Sequence, residues 1–275
     1  MLILKERLKK KITMIFWSKN GNDAFINAFA IGCNSPIVTE IDKTTPEPII
    51  FRSIVKKDVI LYRLENNLPF YYMDSGYFGN FKSERNPGGT KQWMRIVKNG
   101  LQHTAVKKVS STRWYENFNY PIQQQTKRGN HILLVLPSEK PCKFYDIDLQ
   151  DWTKRTIGEI KKHTDRPIKI RVKPDTRAAR LQHTVFDDLN NCWATVTYNS
   201  IAAVESVMSG VPAFTLAPTA ADPVCDKDLS NLEDPTLYHK DQLRAWAYHL
   251  AHGQFHISEL KSGVALRMLK KYESS

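Results

Sequence analysis

The sequence of 275 residues lacks a long hydrophobic run. Its apolar stretches, such as residues 132–136, are far shorter than the roughly 20 residues that a helix needs to span a bilayer. The N-terminal sequence MLILKERLKKK places its apolar residues before its basic ones, whereas a secretory signal has the opposite order. We therefore expect a cytoplasmic protein with no membrane-spanning helix.

Cysteine is also scarce. The four cysteines, Cys33, Cys142, Cys192 and Cys225, are widely spaced and form no Cys-x-x-Cys pair. This spacing suggests neither a disulfide framework nor a zinc site, so we expect buried thiols. We expect no tightly bound cofactor, and a divalent metal ion is compatible with the sequence but not indicated by it. Hydrophobic residues make up 41% of the chain, which excludes the collagen-like and disordered classes.

Acidic residues are scarce only in the first half of the chain. The net charge is +12, and residues 1–128 contain 21 Lys and Arg against 10 Asp and Glu, whereas the remainder contains 19 against 18. A basic half is typical of a protein that binds an anionic polymer such as nucleic acid. The alternative is that these charges only keep the protein soluble.

The pattern of apolar runs predicts two α/β domains. Residues 121–130 are polar, with Pro and Gly at their ends, and indicate a linker. We therefore assign residues 1–125 to a basic acceptor-binding domain and residues 126–275 to a donor-binding domain with C-terminal helices. The predicted strands are residues 12–17, 48–54 and 70–74, then 131–137, 167–174, 194–200 and 211–216. The predicted helices are residues 23–31, 59–66, 151–163, 181–190, 201–210 and two segments after residue 240. This alternation indicates two Rossmann-like domains facing across a cleft, with the last helices packing back across the groove.

Polar residues follow the strand at 194–200. Ligands of α/β sheets bind at the carboxyl ends of the strands, so Asn199 and Ser200 are candidates for holding a phosphate, and Glu205 for accepting hydrogen bonds from a ribose. Helix capping is the alternative explanation for Ser200. Arg171 and Lys173 alternate on the strand at 167–174 and would neutralise a diphosphate, unless they form a solvated edge strand. Thr219, Asp222 and Asp228 lie in a polar loop that is a weaker candidate for framing the sugar.

The run VTYNSIAAVESVMSGVPAFTL (196–216) resembles the nucleotide-sugar half of GT-B glycosyltransferases. In that family, a strand ends in a small polar pair, a helix carries an acid, and a Gly-Val-Pro turn precedes the next strand. The resemblance implies that Asn199 and Ser200 contact the donor diphosphate and Glu205 its ribose. It also implies a UDP-sugar as co-substrate, and we expect the sugar to be glucose.

The first half contains a candidate catalytic acid. In YYMDSGYFGN (71–80), Asp74 ends a hydrophobic strand, and partial burial would raise its pKa toward the range of a useful base. The alternative is that Asp74 caps a turn with Ser75 and Gly76. Cations interleaved with aromatic residues follow, as on a nucleic-acid surface. The predicted nucleic-acid contacts are Lys82, Arg85, Lys91, Trp93, Arg95, Lys98, Lys107, Lys108 and Arg113.

YYMDSGYFGN followed by QWMRIVKNGLQ resembles segments of phage-encoded proteins that glycosylate hypermodified DNA bases. The resemblance implies that the basic half grips duplex DNA and that the hydroxymethyl oxygen of a flipped 5-hydroxymethylpyrimidine attacks the UDP-sugar. Two alternatives stay open. One is a transferase of the same fold that acts on a surface or capsular polysaccharide, and the other is a non-catalytic DNA-binding protein.

Overall fold

The structure, a computed structural model, describes residues 14–81, 83–84 and 86–273. The strands in these residues are β1 (Ile15–Trp17), β2 (Ile37–Val38), β3 (Ile49–Arg52), β4 (Phe70–Ser75), β5 (Trp93–Lys98), β6 (His131–Val135), β7 (Ile168–Arg171), β8 (Cys192–Thr197), β9 (Ala213–Thr215) and β10 (Gln254–His256). The helices are α1 (Ala24–Cys33), α2 (Lys57–Glu65), α3 (Thr112–Asn117), α4 (Glu139–Tyr145), α5 (Leu149–Ile160), α6 (Arg177–Gln182), α7 (Val185–Asp188), α8 (Ala202–Met208), α9 (Lys240–His252), α10 (Ile257–Lys261) and α11 (Val264–Glu273). The predicted two-domain α/β architecture is confirmed.

The first sheet has the strand order β10-β5-β4-β3-β1-β2. Strands β1 to β4 pair in parallel, and β5 and β10 are antiparallel to their neighbours. The predicted strands at 12–17, 48–54 and 70–74 correspond to β1, β3 and β4. Their nearly continuous apolar sequences suit strands that are covered by helices on both faces. One face, with Phe16, Ile50 and Met73, packs on α1 and α10, and the other, with Phe51 and Tyr72, packs with residues of α2.

Strand β5 was not predicted. The segment WMRIVK pairs with β4 so that Asp74 lies opposite Arg95, and every residue from Trp93 to Val97 is buried. The sequence of this segment alone favours a nucleic-acid surface because it mixes cations with aromatic residues. Arg95 can be buried because it pairs with Asp74 on the neighbouring strand. The sequence of the segment 93–98 alone does not show this partner.

The second sheet is parallel throughout, with the order β7-β6-β8-β9. The four strands predicted in this half correspond to these four, and the predicted helices at 151–163 and 201–210 correspond to α5 and α8. Helix α5 begins at Asp148, whose carboxylate accepts a hydrogen bond of 2.8 Å from the Asp151 N–H. Strand β7 lies at the sheet edge, and it ends at Arg171.

The chain returns to the first sheet near its C-terminus. Helix α9 packs between the two halves, and β10 then adds to the edge of the first sheet beside β5. Helices α10 and α11 pack on α1, on the face of the first sheet that is turned away from the second. Within the described residues, no helix has both the length and the apolar character to cross a bilayer.

The two halves share a hydrophobic core. One cluster joins Trp93 and Phe118 of the first half to Ala203 and Val207 of α8 and to Trp246 of α9. A second contact is made by α4, whose Phe144 is buried against residues of the first sheet, and Lys57 of α2 forms an ion pair with Asp146 just after α4. These contacts hold the carboxyl ends of the parallel strands of both sheets at the borders of one cleft.

Candidate functional site

Side chains from both sheets meet in this cleft. Asp74 lies at the carboxyl end of β4, and Asn199 follows β8. Tyr145 at the end of α4 lies between them. Its ring centre is 5.4 Å from that of Tyr198, the residue before Asn199. Tyr145 also packs against the hydrophobic cluster that contains Tyr72, the hydrogen-bond partner of Asp74. The ends of β4 and β8, which carry Asp74 and Asn199, therefore lie near the same cleft.

Asp74 is held by three donors. The Ser75 N–H donates to Oδ1 at 2.7 Å, the Tyr72 hydroxyl to Oδ2 at 2.8 Å, and the Arg95 guanidinium to Oδ2 at 3.4 Å. The second guanidinium nitrogen of Arg95 donates to the Ser75 carbonyl at 2.7 Å. The Asp74 side chain is 32% exposed, so the carboxylate is fixed in place while part of it faces the cleft.

These contacts correct the expected protonation behaviour of Asp74. Burial alone would raise the pKa of its carboxyl group, as the sequence analysis expected. The Arg95 guanidinium, the Ser75 N–H and the Tyr72 hydroxyl outweigh burial and lower the pKa below its ordinary value. The Asp74 carboxylate is therefore ionised at neutral pH and can accept a proton directly.

Cations from both halves lie near Lys91, which itself lies near Asp74. Much of the Lys91 side chain is exposed, but burial of its ammonium group lowers its pKa. The negative charge of Asp74 opposes this shift, and the positive charges of three other cations add to it, namely those of Arg52, Lys173 and Lys140. Lys91 and Arg52 belong to the first half, and Lys173 and Lys140 to the second. The cleft is thus an electropositive site around one carboxylate, which suits an anionic ligand.

Glu205 lies in the first turn of α8 and is the second carboxylate near the cleft. Burial raises its pKa to about 7, and the attraction of Arg171 and Lys173 only partly offsets this. A carboxyl group with such a pKa is half protonated at neutral pH, so it both accepts and donates hydrogen bonds. Its position remains compatible with the predicted contact to a ribose.

Three of the other predicted donor-binding residues have structural partners. Arg171 forms an ion pair with Asp188 and donates to the Thr184 carbonyl at 3.1 Å. Asp222 accepts the Thr219 N–H at 3.1 Å and forms an ion pair with Lys227 at 2.9 Å, and Thr219 is 1% exposed. Arg171, Thr219 and Asp222 therefore shape the loops of the second half, and their direct contact with a donor stays a prediction.

Ser200 acts at the start of α8. Its Oγ accepts a hydrogen bond of 3.2 Å from the Ala202 N–H, which is the capping alternative that the sequence left open. Asp228, the remaining loop candidate, accepts the Ser230 N–H at 2.9 Å in the same manner. Capping and ligand binding are compatible for Ser200 because its side chain is partly exposed.

Three of the predicted nucleic-acid contacts are buried. Trp93, Arg95 and Arg113 are 8%, 4% and 7% exposed, so little of each side chain is available to a nucleic acid, and the two guanidinium groups are used inside the protein. Arg95 is paired with Asp74, and Arg113 forms a bidentate pair with Glu259 with two distances of 2.7 Å. A buried guanidinium needs such partners because an unpaired buried charge is strongly unfavourable.

The remaining predicted contacts are not grouped in one place. Lys98 ends β5 opposite Tyr71, at the end of the strands that is farther from Asp74. The exposed Lys107 and Lys108 follow in the next loop. Only Lys91 among the described residues of this group lies at the cleft. Lys82 and Arg85 lie outside the described residues.

The sequence also contains two Asp-x-Asp segments, at residues 146–148 and 226–228. Asp146 pairs with Lys57, Asp148 begins α5, and Asp226 accepts the Thr236 N–H at 2.8 Å. Across the part of the chain that the structure describes, no three His, Cys, Asp or Glu side chains are grouped to hold a metal ion.

The fold is shared with solved glycosyltransferase structures. The β-Kdo 2,4 transferase of Thermosulfurimonas dismutans KpsC has a TM-score of 0.51 and 11% identity, with 87% of this chain and 90% of that chain covered. The β-Kdo 2,7 transferase of the same KpsC has a TM-score of 0.50 and 9% identity, with coverage of 93% and 99%. The sequence matches no family model and no curated protein sequence. At these identities, the similarity establishes the two-domain Rossmann-like fold.

Proposed function

We propose that the protein is a nucleotide-sugar-dependent glycosyltransferase whose reaction takes place in the cleft between the two sheets. The observation that carries the proposal is the position of Lys91, which lies near Asp74 in the first half and near Lys173 and Lys140 of the second. A fixed carboxylate facing a group of cations suits a reaction in which a hydroxyl is deprotonated and an anionic nucleotide departs. The fold shared with two sugar transferases supports the same conclusion.

The donor is assigned to the second sheet. Lys173 and Lys140 would stabilise the phosphate charge of the nucleotide, with Asn199 and Ser200 at the carboxyl end of β8 beside it. Glu205 would hold the ribose through its carboxyl group. No step in this assignment uses a metal ion, because cations of the chain supply the positive charge near the leaving group.

The acceptor is assigned to the first sheet. The acceptor hydroxyl gives its proton to Asp74, its oxygen forms a bond to the anomeric carbon, and the bond between that carbon and the nucleotide phosphate breaks. The nucleotide leaves with the electron pair of the broken bond. Tyr72, Ser75 and Arg95 keep Asp74 in the orientation that this proton transfer needs.

A glycan is the acceptor that we favour. Both solved structures that share the fold are named for transfer of Kdo and come from the KpsC protein, which favours the polysaccharide-type transferase over the DNA-modifying one. DNA containing 5-hydroxymethylpyrimidines remains the second candidate because of the charge excess in residues 1–128. The burial of Arg95 and Arg113 weakens that candidate, since two of its cations are used inside the protein.

The test combines nucleotide binding with product analysis. The protein is incubated with UDP-glucose, other nucleotide sugars and a nucleotide that carries Kdo, in the presence of oligosaccharides, hydroxymethylated DNA or unmodified DNA. We expect mass spectrometry to detect a glycosylated oligosaccharide. We also expect the matching nucleotide to raise the unfolding temperature, because a ligand that binds only the native state stabilises it.

The other outcomes separate the alternatives. A sugar-bearing nucleoside in digested DNA would replace the glycan acceptor with DNA. Binding to DNA that weakens steeply with salt, without product and without stabilisation by any nucleotide, would instead indicate a non-catalytic DNA-binding protein.

A further inference from the structure

A second concave site lies beside the cleft, at the start of β5 and the end of β10. Its cavity volume is about 340 Å³, and its walls include Gln92, Trp93, Asn117, Tyr120 and His256. None of these residues takes part in the reaction described above. Ser258, on the first turn of α10, is exposed at its rim.

Strand register places this pocket on the same face of the first sheet as Asp74. Asp74 lies opposite Arg95, Arg95 lies opposite Gln254, and Trp93 lies opposite His256. Directly opposed residues share a face, and so do residues two apart on one strand. His256 is two strands across and two residues along from Asp74, which corresponds to roughly 12 Å at ordinary strand spacing.

The stretch of chain that begins at Gly79 and ends at Gln92 lines the pocket at both of its ends. At Gly79, which has a φ of +83°, a Cβ atom would lie 2.4 Å from the Trp93 ring, so only glycine allows this segment to cross the indole so closely. At the other end of the segment, Lys91 acts on Asp74 and its neighbour Gln92 lines the pocket. Two consecutive residues, Lys91 and Gln92, therefore lie at the two sites, which places the pocket next to the cleft.

The walls of the pocket combine aromatic rings with polar groups. The rings of Trp93 and His256 lie 5.3 Å apart, and Tyr120 is partly exposed beside them. Gln92 donates to the Thr90 hydroxyl and Asn117 to the Arg113 carbonyl, so the amide oxygens of both remain able to accept hydrogen bonds. A few placed polar groups on an aromatic surface are typical of small-ligand sites.

The charge of the pocket distinguishes it from the cleft. Among its described lining residues there is neither Lys nor Arg, and its carboxylate, Glu259, is paired with Arg113 at 2.7 Å. The cleft, by contrast, contains several cations. The pocket therefore suits an uncharged ligand that has many hydroxyl groups and apolar ring faces.

We propose that this pocket is an acceptor subsite that binds an uncharged sugar unit of the glycan, one or more units away from the hydroxyl that reacts at Asp74. The inference rests on the proposed function for its acceptor class. It adds a specificity site. A glycan whose neutral sugar lies roughly 12 Å from the reacting hydroxyl gains contacts with Gln92, Asn117 and the rings of Trp93 and His256.

The test fills the pocket with a bulky side chain. Ser258→Trp places an indole at the rim, and Ser262→Trp makes the same change about one turn later, at an exposed position that does not line the pocket. Saturation-transfer NMR with methyl glycosides of glucose, galactose and N-acetylglucosamine detects binding without any turnover. We expect at least one glycoside to bind the wild type and Ser262→Trp and to lose binding in Ser258→Trp.

Kinetics give the second measurement. With a glycan acceptor, Ser258→Trp and Gln92→Ala should raise the KM for acceptor about tenfold, the size expected for losing one or two hydrogen bonds. Both should leave donor binding and slow donor hydrolysis unchanged, because neither side chain is among the groups assigned to the donor. The subsite is overturned if no glycoside binds the wild type. It is also overturned if Ser258→Trp changes neither glycoside binding nor the KM for acceptor.

Two further outcomes are distinguishable from these. A short oligonucleotide that binds the wild type and not Ser258→Trp would assign the pocket to a nucleic-acid base and overturn the sugar. Glycoside binding that Ser258→Trp removes, in a protein that turns over no nucleotide sugar, would support the pocket while the proposed transferase function fails.

Discussion

Two carboxylates, one from each half of the molecule, occupy opposite electrostatic environments. Asp74 accepts hydrogen bonds from Tyr72 and Ser75 and has a charged partner in Arg95, so its pKa lies below its ordinary value. Glu205 is buried in the second half, and among the described residues no hydrogen bond to its carboxylate offsets that burial, so its pKa rises to about 7. Burial acts on both groups, and the local donors decide the direction.

The difference assigns different tasks to similar side chains. A group that is always ionised accepts a proton or repels an anion, whereas a group that is half protonated near pH 7 also donates a hydrogen bond. Asp74 is therefore suited to the acceptor hydroxyl and Glu205 to a ribose diol. The predictions below test this contrast, beginning with the largest expected effect.

The contrast is tested most strongly at Asp74. Asp74→Asn keeps the shape of the side chain and removes the proton acceptor, so we expect sugar transfer to fall by about 10²–10⁴-fold. Binding of the nucleotide, measured by calorimetry, should change little. Asp58→Asn, at an exposed position in the first turn of α2, is the matched control and should retain full activity. Equal loss of activity and of nucleotide binding in Asp74→Asn would indicate a purely structural turn.

Arg95 should set the pH dependence of Asp74. Because the guanidinium lowers the pKa of Asp74, Arg95→Met should raise that pKa and move the acid side of the pH–rate profile to higher pH. Arg95→Lys keeps the charge and should restore part of the profile. Removal of a partner from a buried ion pair costs about 3–5 kcal/mol, and the partial exposure of Asp74 places the expected loss of stability at or below the lower end. An unchanged profile in Arg95→Met would contradict the role assigned to Arg95.

Glu205 should make stability depend on pH in the opposite sense to Asp74. The folded state holds a proton on Glu205 between its ordinary pKa of 4.5 and about 7, so the free energy of unfolding should decrease as pH rises through that range. Asp74, with its lowered pKa, contributes stability above its ordinary value that is lost as pH falls. Relative to the wild type, Glu205→Gln should therefore be more stable at pH 8 than at pH 5, measured by urea unfolding. The reverse order would show that Glu205 is ionised in the folded protein.

The smallest effect should distinguish two exposed lysines. Lys91→Gln removes a cation near Asp74 and Lys173, whereas Lys98→Gln removes one at the other end of the strands. We expect about a threefold weaker affinity for the nucleotide in Lys91→Gln at low salt, within the 0.2–1 kcal/mol typical of exposed charges, and no change in Lys98→Gln. High salt should reduce the difference. Equal effects of both variants would mean that net charge, and not the cleft, attracts the ligand.

Much of the fold was predictable because its strands are strongly apolar. Residues 131–137 and 194–200 correspond to β6 and β8, which are buried on both faces, and such strands are visible as continuous hydrophobic runs. Asp74 and Asn199 were likewise placed at strand ends by position alone. The segment WMRIVK was missed as a strand because its cations are characteristic of a surface unless their partners are known.

Those partners come from distant parts of the chain. Arg113 pairs with Glu259, 146 residues later, and β10 adds to the first sheet only after the chain has completed the second. The pKa of Asp74 was expected to rise because the sequence shows burial and does not show Arg95 on the neighbouring strand.

Local hydrophobic pattern by itself determined most of the parallel strands of this chain and the polar residues that end them, because backbone hydrogen bonding and burial act over a few residues. The tertiary structure decided which cations are buried, which carboxylate is ionised and where the neutral pocket lies. Those properties depend on electrostatic partners that only strand register and the return of the C-terminal segment bring within a few ångströms.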